Sequence, residues 1–162
     1  MHKNLGFTFL ELAIFLLIAG SILTVAATAW TVLIQGRQVA AAKNILDDAN
    51  GCLWHYAIMA RKVPTSGYFS HSCTKLDPWG TPLRFVSRSS AMDVNCTRAT
   101  PGTISVFTGP GQTSGAISWL VISAGPNKSF DYSWSSGRLD LSHGDDIYVL
   151  VSDMEAHSEL CK

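Results

Sequence analysis

Acidic and amide side chains recur between Gly125 and Ile147 in a pattern that could bind a divalent cation. The oxygen-bearing residues of this set are Asn127, Asp131, Asp140, Asp145 and Asp146. Calcium is held by several carboxylate, amide and carbonyl oxygens in a flexible arrangement, which a loop of this composition can supply. The adjacent acids Asp145 and Asp146 repel each other unless something cationic lies between them. From composition alone, two interpretations stay open, a Ca²⁺ site and acids that are simply solvated in a surface loop, and composition favours the second.

The chain contains four cysteines, Cys52, Cys73, Cys96 and Cys161. An even number of cysteines in a small exported domain is typical of disulfides formed in an oxidising compartment. Three pairings are possible. We favour Cys52–Cys73 with Cys96–Cys161, because the first bond would tie a helix to the loop that follows it.

Other chemistries find less support in the sequence. Cys52-x-x-His55 and His71-x-Cys73 contain the ligand types of a structural zinc site, which is the alternative to a disulfide.

The sequence has no Gly-x-Ser-x-Gly elbow, no His-Glu-x-x-His and no dinucleotide fingerprint, so we predict that the protein is not an enzyme. Lys and Arg total 12 and Asp and Glu total 12. Without a basic excess we expect no binding to nucleic acid.

Glu11 is the one ionisable side chain in an apolar run from Phe7 to Ile34. The run exceeds the roughly 20 residues that a helix needs to cross a bilayer. It is also longer than the apolar core of a secretory signal, about 7–15 residues. A carboxylate inside a membrane helix costs about 2.5–3.5 kcal/mol, so it requires a partner. Lys3 in the leader predicts a single span with a cytoplasmic amino terminus and a periplasmic carboxy-terminal domain.

The segment Gly6-Phe7-Thr8-Phe9-Leu10-Glu11-Leu12, followed by the apolar run, resembles the type IV prepilin signal of pilins and type II secretion pseudopilins. The resemblance implies that a prepilin peptidase cuts after Gly6 and methylates the new amine of Phe7. It also implies that Glu11 pairs with the Phe7 amine of a neighbouring copy. A membrane-anchored precursor would then enter a periplasmic or cell-surface filament of identical or homologous subunits, with an inner-membrane assembly platform and its ATPase as partners.

A second resemblance is to major pseudopilins. Asp77-Pro78-Trp79-Gly80 resembles the turn that opens their sheet, and Ser123 to Lys128 with Asp145-Asp146-Ile147 resembles their calcium loop. Asn127 and Lys128 depart from that pattern, since an acid and a glycine are usual there, and Asp131 or Asp140 would have to compensate. With that compensation, the resemblance implies a Ca²⁺ site. This favours a pseudopilin that drives protein export. The alternatives are a type IV pilus subunit, major or minor, serving adhesion, motility or DNA uptake, and a monomeric membrane-anchored binding domain.

The predicted fold is α+β, a long amino-terminal helix packed on a small, mostly antiparallel sheet, as in pilins. The predicted parts are a leader (1–6), a membrane or filament-core helix (7–34), an amphipathic half of that helix (35–63) and a β domain (64–162). The apolar stripe of the amphipathic half consists of Val39, Ala42, Leu46, Ala49, Leu53, Tyr56 and Ala60. Pro64 should end the helix. Four strands are predicted, over Thr81–Ser87, Thr103–Thr108, Ala116–Ser123 and Asp146–Ser152, and Trp79 is expected to pack on the helix.

Overall fold

The computed structural model describes residues 9–87, 104–109, 112–135, 138–142 and 144–162. Its helices are α1 (Phe9–Ala60), α2 (Ser66–Tyr68), which continues into a π-helical turn (Phe69–Cys73), and α3 (Asp153–Leu160). Its strands are β1 (Arg84–Ser87), β2 (Ser105–Gly109), β3 (Gln112–Ser123), β4 (Ser133–Ser135), β5 (Arg138–Asp140) and β6 (Ile147–Ser152). The chain forms two compact units, Met1–Arg37 and Gln38–Lys162.

Helix α1 is a single element of 52 residues that ends at Ala60. The predicted terminator, Pro64, lies a few residues beyond this end. Arg61 has a φ of 50°, in the left-handed region that often closes a helix. Proline then follows at a position where it prevents the helix from resuming.

In the second unit, the predicted stripe of α1 is largely confirmed. Ala42, Leu46, Ala49 and Leu53 are fully buried, and the next buried residue is Ala57 rather than Tyr56 or Ala60. Tyr56 instead stacks on Tyr68 of α2, with ring centroids 4.0 Å apart. The polar side chains of this part of α1 that lie off the stripe are exposed, namely Lys43, Asp47, Asp48 and His55.

The strands form one sheet in the order β1-β3-β2-β5-β4, with β6 also paired to β3. β3 pairs antiparallel with β1, β2 and β6, whereas β2 and β5 run parallel. The α+β prediction is therefore confirmed, although the described residues form a sheet of six strands where four were predicted. β4 and β5 lie between the predicted strands Ala116–Ser123 and Asp146–Ser152, where no strand was predicted.

The sheet is buried on both faces where β3 runs between β1 and β6. Trp119 and Val121 belong to the core that contains Leu46 and Leu53 of α1. The alternate residues Leu120 and Ile122 belong to a second core, which includes Val106 of β2 and Leu139 of β5. This alternation follows from the two-residue period of a strand.

Two tryptophans connect the second unit's part of α1 to the rest of the domain. The indole Nε1 of Trp119 donates to Asn50 Oδ1 over 2.9 Å, and its ring packs edge-to-face on Trp54 at 4.9 Å. The indole Nε1 of Trp79 donates to Gln38 Oε1 over 3.2 Å. The prediction that Trp79 packs on the helix is confirmed.

Helix α3 was not predicted, although the sequence carries its start signal. The Ser152 side chain accepts a hydrogen bond from the backbone N–H of Glu155, and Glu155 is the third helical residue. Serine followed three residues later by glutamate is the pattern of a capping box. Because its apolar residues are few, the segment gave no helical periodicity that could be recognised from sequence.

Candidate functional sites

The first candidate site is the apolar part of α1, up to Ile34. Its large side chains are exposed, from Phe9 at 88% to Trp30 at 66% and Leu33 at 60%. This helix has a window of mean hydropathy 2.3 and is long and apolar enough to cross a membrane. Such a surface is unfavourable in water, so it requires lipid or other protein around it. The segment is therefore suited to a membrane anchor or a signal.

The hydroxyl groups of this segment bond within the helix itself. Ser21, Thr24, Thr28 and Thr31 each donate to a backbone carbonyl three or four residues earlier, over 2.8–2.9 Å. A hydroxyl satisfied in this way needs no water, so it is compatible with lipid or with a dry protein core. The helix surface between Leu12 and Ile34 is thus apolar in practice as well as in composition.

Glu11 lies in the first turn of α1 and is exposed. A carboxylate there interacts favourably with the positive end of the helix dipole. Gly6 and Phe7, the predicted processing residues, lie outside the described residues. The predicted pairing of Glu11 with the Phe7 amine of another copy stays a prediction.

The second candidate site is the acidic turn, which we define as Asn127, Asp131, Asp145 and Asp146. Asn127 donates through its backbone N–H to Asp145 Oδ2 over 3.2 Å and through its side chain to Asp131 Oδ2 over 2.6 Å. The backbone N–H of Asp131 donates to Asp146 Oδ2 over 3.0 Å. Four of the five residues predicted for a cation site are therefore joined by direct hydrogen bonds, although they come from two separate stretches of chain.

Asp146 is the residue of the acidic turn whose pKa is shifted. Burial raises the pKa of its carboxyl group, and the neighbouring Asp131 and Asp145 raise it further. Hydrogen bonds from the backbone of Asp131 and Tyr132 act in the opposite direction. Its Oδ1 is buried without a hydrogen-bond partner. A buried carboxylate oxygen of this kind is costly unless a cation or water satisfies it.

Asp140, the fifth predicted ligand, lies at the end of β5. Its Oδ1 accepts hydrogen bonds from the backbone N–H and the hydroxyl of Ser142, over 2.9 and 2.5 Å. Within the described part of the chain, no group of three His, Cys, Asp or Glu side chains has the arrangement of a metal site. Calcium also uses amide and carbonyl oxygens, which the acidic turn offers through Asn127 and its backbone.

Two glycines allow the acidic turn to pack closely. Gly125 has a φ of 67°, and a Cβ there would fall on the backbone carbonyl of Asp145. Gly144 has a φ of 97°, and a Cβ there would fall on the side chain of Asp131. Only glycine tolerates both the left-handed conformation and the close approach. The two stretches that contain the acids are thus held against each other by residues without side chains.

A cation–π contact supports the same region from β1. The Arg84 guanidinium carbon lies 4.3 Å from the centroid of the Phe130 ring, and Arg84 Nη1 donates to Tyr132 Oη over 2.9 Å. Phe130 and Tyr132 flank Asp131, so this contact fixes the backbone on both sides of that acid. The contact was not predicted, because Arg84 is distant in sequence and no local pattern points to it.

The cysteine prediction is confirmed for its first pair. Cys52 and Cys73 form a disulfide with a Cα–Cα distance of 5.7 Å, joining α1 to the π-helical turn. The zinc alternative is wrong, because both of its thiolates are used in this bond. Cys161 is disulfide-bonded. Cys96, its predicted partner, lies outside the described residues.

Comparisons with protein-family models, with curated proteins and with solved structures give no match to this chain. The architecture itself is pilin-like, with a long apolar amino-terminal helix whose later part packs on a mostly antiparallel sheet. A disulfide in this domain indicates an extracytoplasmic location.

Proposed function

We propose that the protein is a structural subunit of a periplasmic or cell-surface filament, most similar to a type II secretion pseudopilin. The observation that carries this proposal is the exposed apolar surface of α1 between Phe9 and Ile34. In the precursor, lipid covers this surface. In the filament, the same surface is covered by α1 of neighbouring subunits, so the helix leaves the bilayer without being exposed to water.

The second unit provides the outer part of the filament. It has its own hydrophobic cores on both faces of the sheet and a disulfide that joins the helix to the following turn. Because these contacts lie within Gln38–Lys162, the domain can keep its structure while the apolar segment exchanges lipid for protein. Protein export would follow from growth of the filament, driven by the assembly platform and its ATPase.

The secretion role is favoured over a type IV pilus by the Asp77–Gly80 turn and by the acidic turn. Gly80 N donates to Asp77 O over 3.0 Å, which is the hydrogen bond of a tight four-residue turn. The residues that resemble the pseudopilin calcium loop lie together as well. The carboxy-terminal Cys161 is a feature that pilins share, so an adhesion, motility or DNA-uptake fibre is the second candidate.

Replacing Gly6 with leucine tests the processing step. We expect the variant to remain a full-length precursor in the inner membrane and to form no filaments, because the peptidase requires a small residue before the cleaved bond. Immunoblots of membrane fractions measure the precursor, and electron microscopy measures filaments. The matched control is Gly36→Leu, which adds the same bulk at a helical position where a Cβ meets nothing within 4 Å.

The control should be cut like the wild type. Complete leader removal from the Gly6→Leu chain would contradict the processing proposal. An uncut Gly36→Leu chain would show that added bulk, rather than the cleavage position, is responsible.

We propose further that the acidic turn binds Ca²⁺, with Asn127, Asp131, Asp145 and Asp146 holding the ion. The residues fit the ion because Asp146 Oδ1 is buried without a hydrogen-bond partner and the pKa of Asp146 is raised by burial and by the two other acids. A bound Ca²⁺ would offset two of the three negative charges of Asp131, Asp145 and Asp146 and would supply a partner for Asp146 Oδ1. The ion would serve stability, since it would join the two stretches of chain that form the turn.

Thermal unfolding of the full chain in detergent, with and without Ca²⁺, measures this site. We expect Ca²⁺ to stabilise the protein by about 2.7 kcal/mol at a concentration 100 times the dissociation constant. Asp146→Asn should lose most of this gain, whereas Asp47→Asn on the exposed face of α1 should keep it. The gain should shrink as pH falls through the raised pKa of Asp146, because the protonated acid no longer attracts the ion. Equal melting temperatures with Ca²⁺ and with chelator would contradict the proposal.

A further inference from the structure

A buried polar pair, Asp77 and Ser123, lies between α1 and the acidic turn. Asp77 is 5% exposed and Ser123 is fully buried. The Ser123 hydroxyl donates to Asp77 Oδ2 over 2.8 Å. Asp77 Oδ1 accepts the backbone N–H groups of Trp79 and Thr81, over 3.1 and 2.8 Å. The Asp77 carboxylate thus accepts three hydrogen bonds. If any one of the donors moves away, a buried oxygen of this carboxylate loses a partner, which is unfavourable.

On one side, the pair determines the position of Trp79. The Asp77 carboxylate accepts the backbone N–H of Trp79, and the Trp79 indole donates to Gln38 Oε1 over 3.2 Å. Gln38 is the first residue of the second compact unit. The Asp77 carboxylate therefore helps to hold the hydrogen bond between Trp79 and Gln38, which joins the Asp77–Gly80 turn to α1.

On the other side, the pair determines the position of Gly125. The backbone N–H of Gly125 donates to the Ser123 hydroxyl over 3.3 Å. Gly125 in turn packs on the Asp145 carbonyl so closely that no side chain fits between them. Ser123 is therefore the residue through which a displacement of the acidic turn reaches the buried carboxylate.

We propose that the Asp77–Ser123 pair couples the acidic turn energetically to Gln38 on α1. A change at the turn moves the Gly125 N–H, which alters the hydrogen bond between Ser123 and Asp77. That change alters the position of Trp79 against Gln38. Through this coupling, the contact between Trp79 and Gln38 responds to a change in the conformation of the acidic turn. The coupling does not require that the turn binds Ca²⁺.

A double-mutant cycle on the full chain in detergent tests the coupling. Gly125→Ala displaces the acidic turn at one end, and Gln38→Ala removes the hydrogen-bond acceptor of Trp79 at the other. Distant sites that share no partner are additive. Each substitution changes the unfolding equilibrium constant by some factor. We expect the factor for the double variant to differ from the product of the two single factors by about threefold or more. In a Ser123→Ala background the effects should become additive, and in a Ser123→Thr background, which keeps the hydroxyl, the coupling should persist.

The matched control pairs Gln38→Ala with Gly67→Ala, a glycine of α2 outside this set of hydrogen bonds, and should be additive. If Ser123→Ala does not fold, Trp79→Phe replaces it, because that variant also removes the connection by deleting the indole N–H. A second readout is the hydrogen-exchange rate of the Trp79 indole, which Gly125→Ala should increase in the native background. The proposal would be overturned if the effects of Gly125→Ala and Gln38→Ala were additive in the native background. It would also be overturned if they were equally non-additive after the Ser123 hydroxyl had been removed.

Discussion

Replacing Glu11 with glutamine is expected to reduce filament formation roughly tenfold or more, while leaving the leader cut normally. The side chain keeps its size and polarity but loses the charge that would meet the Phe7 amine of the adjacent subunit. An unpaired ammonium in an apolar core costs several kcal/mol. A difference of about 1.4 kcal/mol already changes an equilibrium tenfold. Filament yield per cell, counted by electron microscopy at equal subunit level, measures the effect.

Thr24→Val is the matched control in the same helix segment. The Thr24 hydroxyl donates to the Gly20 carbonyl of its own helix over 2.9 Å. Because it needs no group from another subunit, its removal should leave filament yield near the wild-type value. Wild-type yield from the Glu11→Gln chain would show that the charge does not guide assembly, and would favour a monomeric anchored domain.

The second large effect concerns the folded domain, in which Trp119→Ala is expected to lower the free energy of unfolding by about 3–5 kcal/mol. Trp119 is fully buried between α1 and the sheet. Its removal leaves a cavity, deprives Trp54 of its edge-to-face partner and leaves Asn50 Oδ1 without the indole donor. Urea denaturation followed by far-ultraviolet circular dichroism measures the loss.

Two variants separate the contributions. Trp119→Phe keeps an aromatic ring but removes the N–H, so its loss of stability should be smaller than that of the alanine variant. Trp134→Ala removes a tryptophan that is 51% exposed on β4 and should change stability by much less. Equal losses from Trp119→Ala and Trp134→Ala would contradict the packing of the sheet on α1 through Trp119.

The elements that local composition or spacing specifies were predictable from the sequence. The apolar run was recognised by its length and composition, and the stripe through Ala42, Leu46, Ala49 and Leu53 was recognised by its helical period. The strand at Ala116–Ser123 was recognised by its β-branched and aromatic residues, although β3 begins earlier, at Gln112. The Cys52–Cys73 bond followed from a simple expectation about a helix and its neighbouring loop.

The remaining features depend on contacts between distant residues. β4 and β5 are three residues each, which is too short for a period to be seen, and they are strands because they pair with β2 and with each other. Asp77 was recognised as a turn residue, but its burial against Ser123 results from packing 46 positions away. The hydrogen bonds that join Asn127, Asp131, Asp145 and Asp146 likewise depend on the fold, which brings two separate stretches of chain together.

The mass of the protein's amino-terminal peptide, isolated from envelope membranes of its host, tests whether the leader is removed and α1 enters a filament core. We expect a chain that begins at Phe7 and carries one added methyl group on its terminal amine. A chain that retains Met1 to Gly6 in assembled material, or that begins beyond Glu11, would contradict a pilin-like subunit whose α1 forms the filament core.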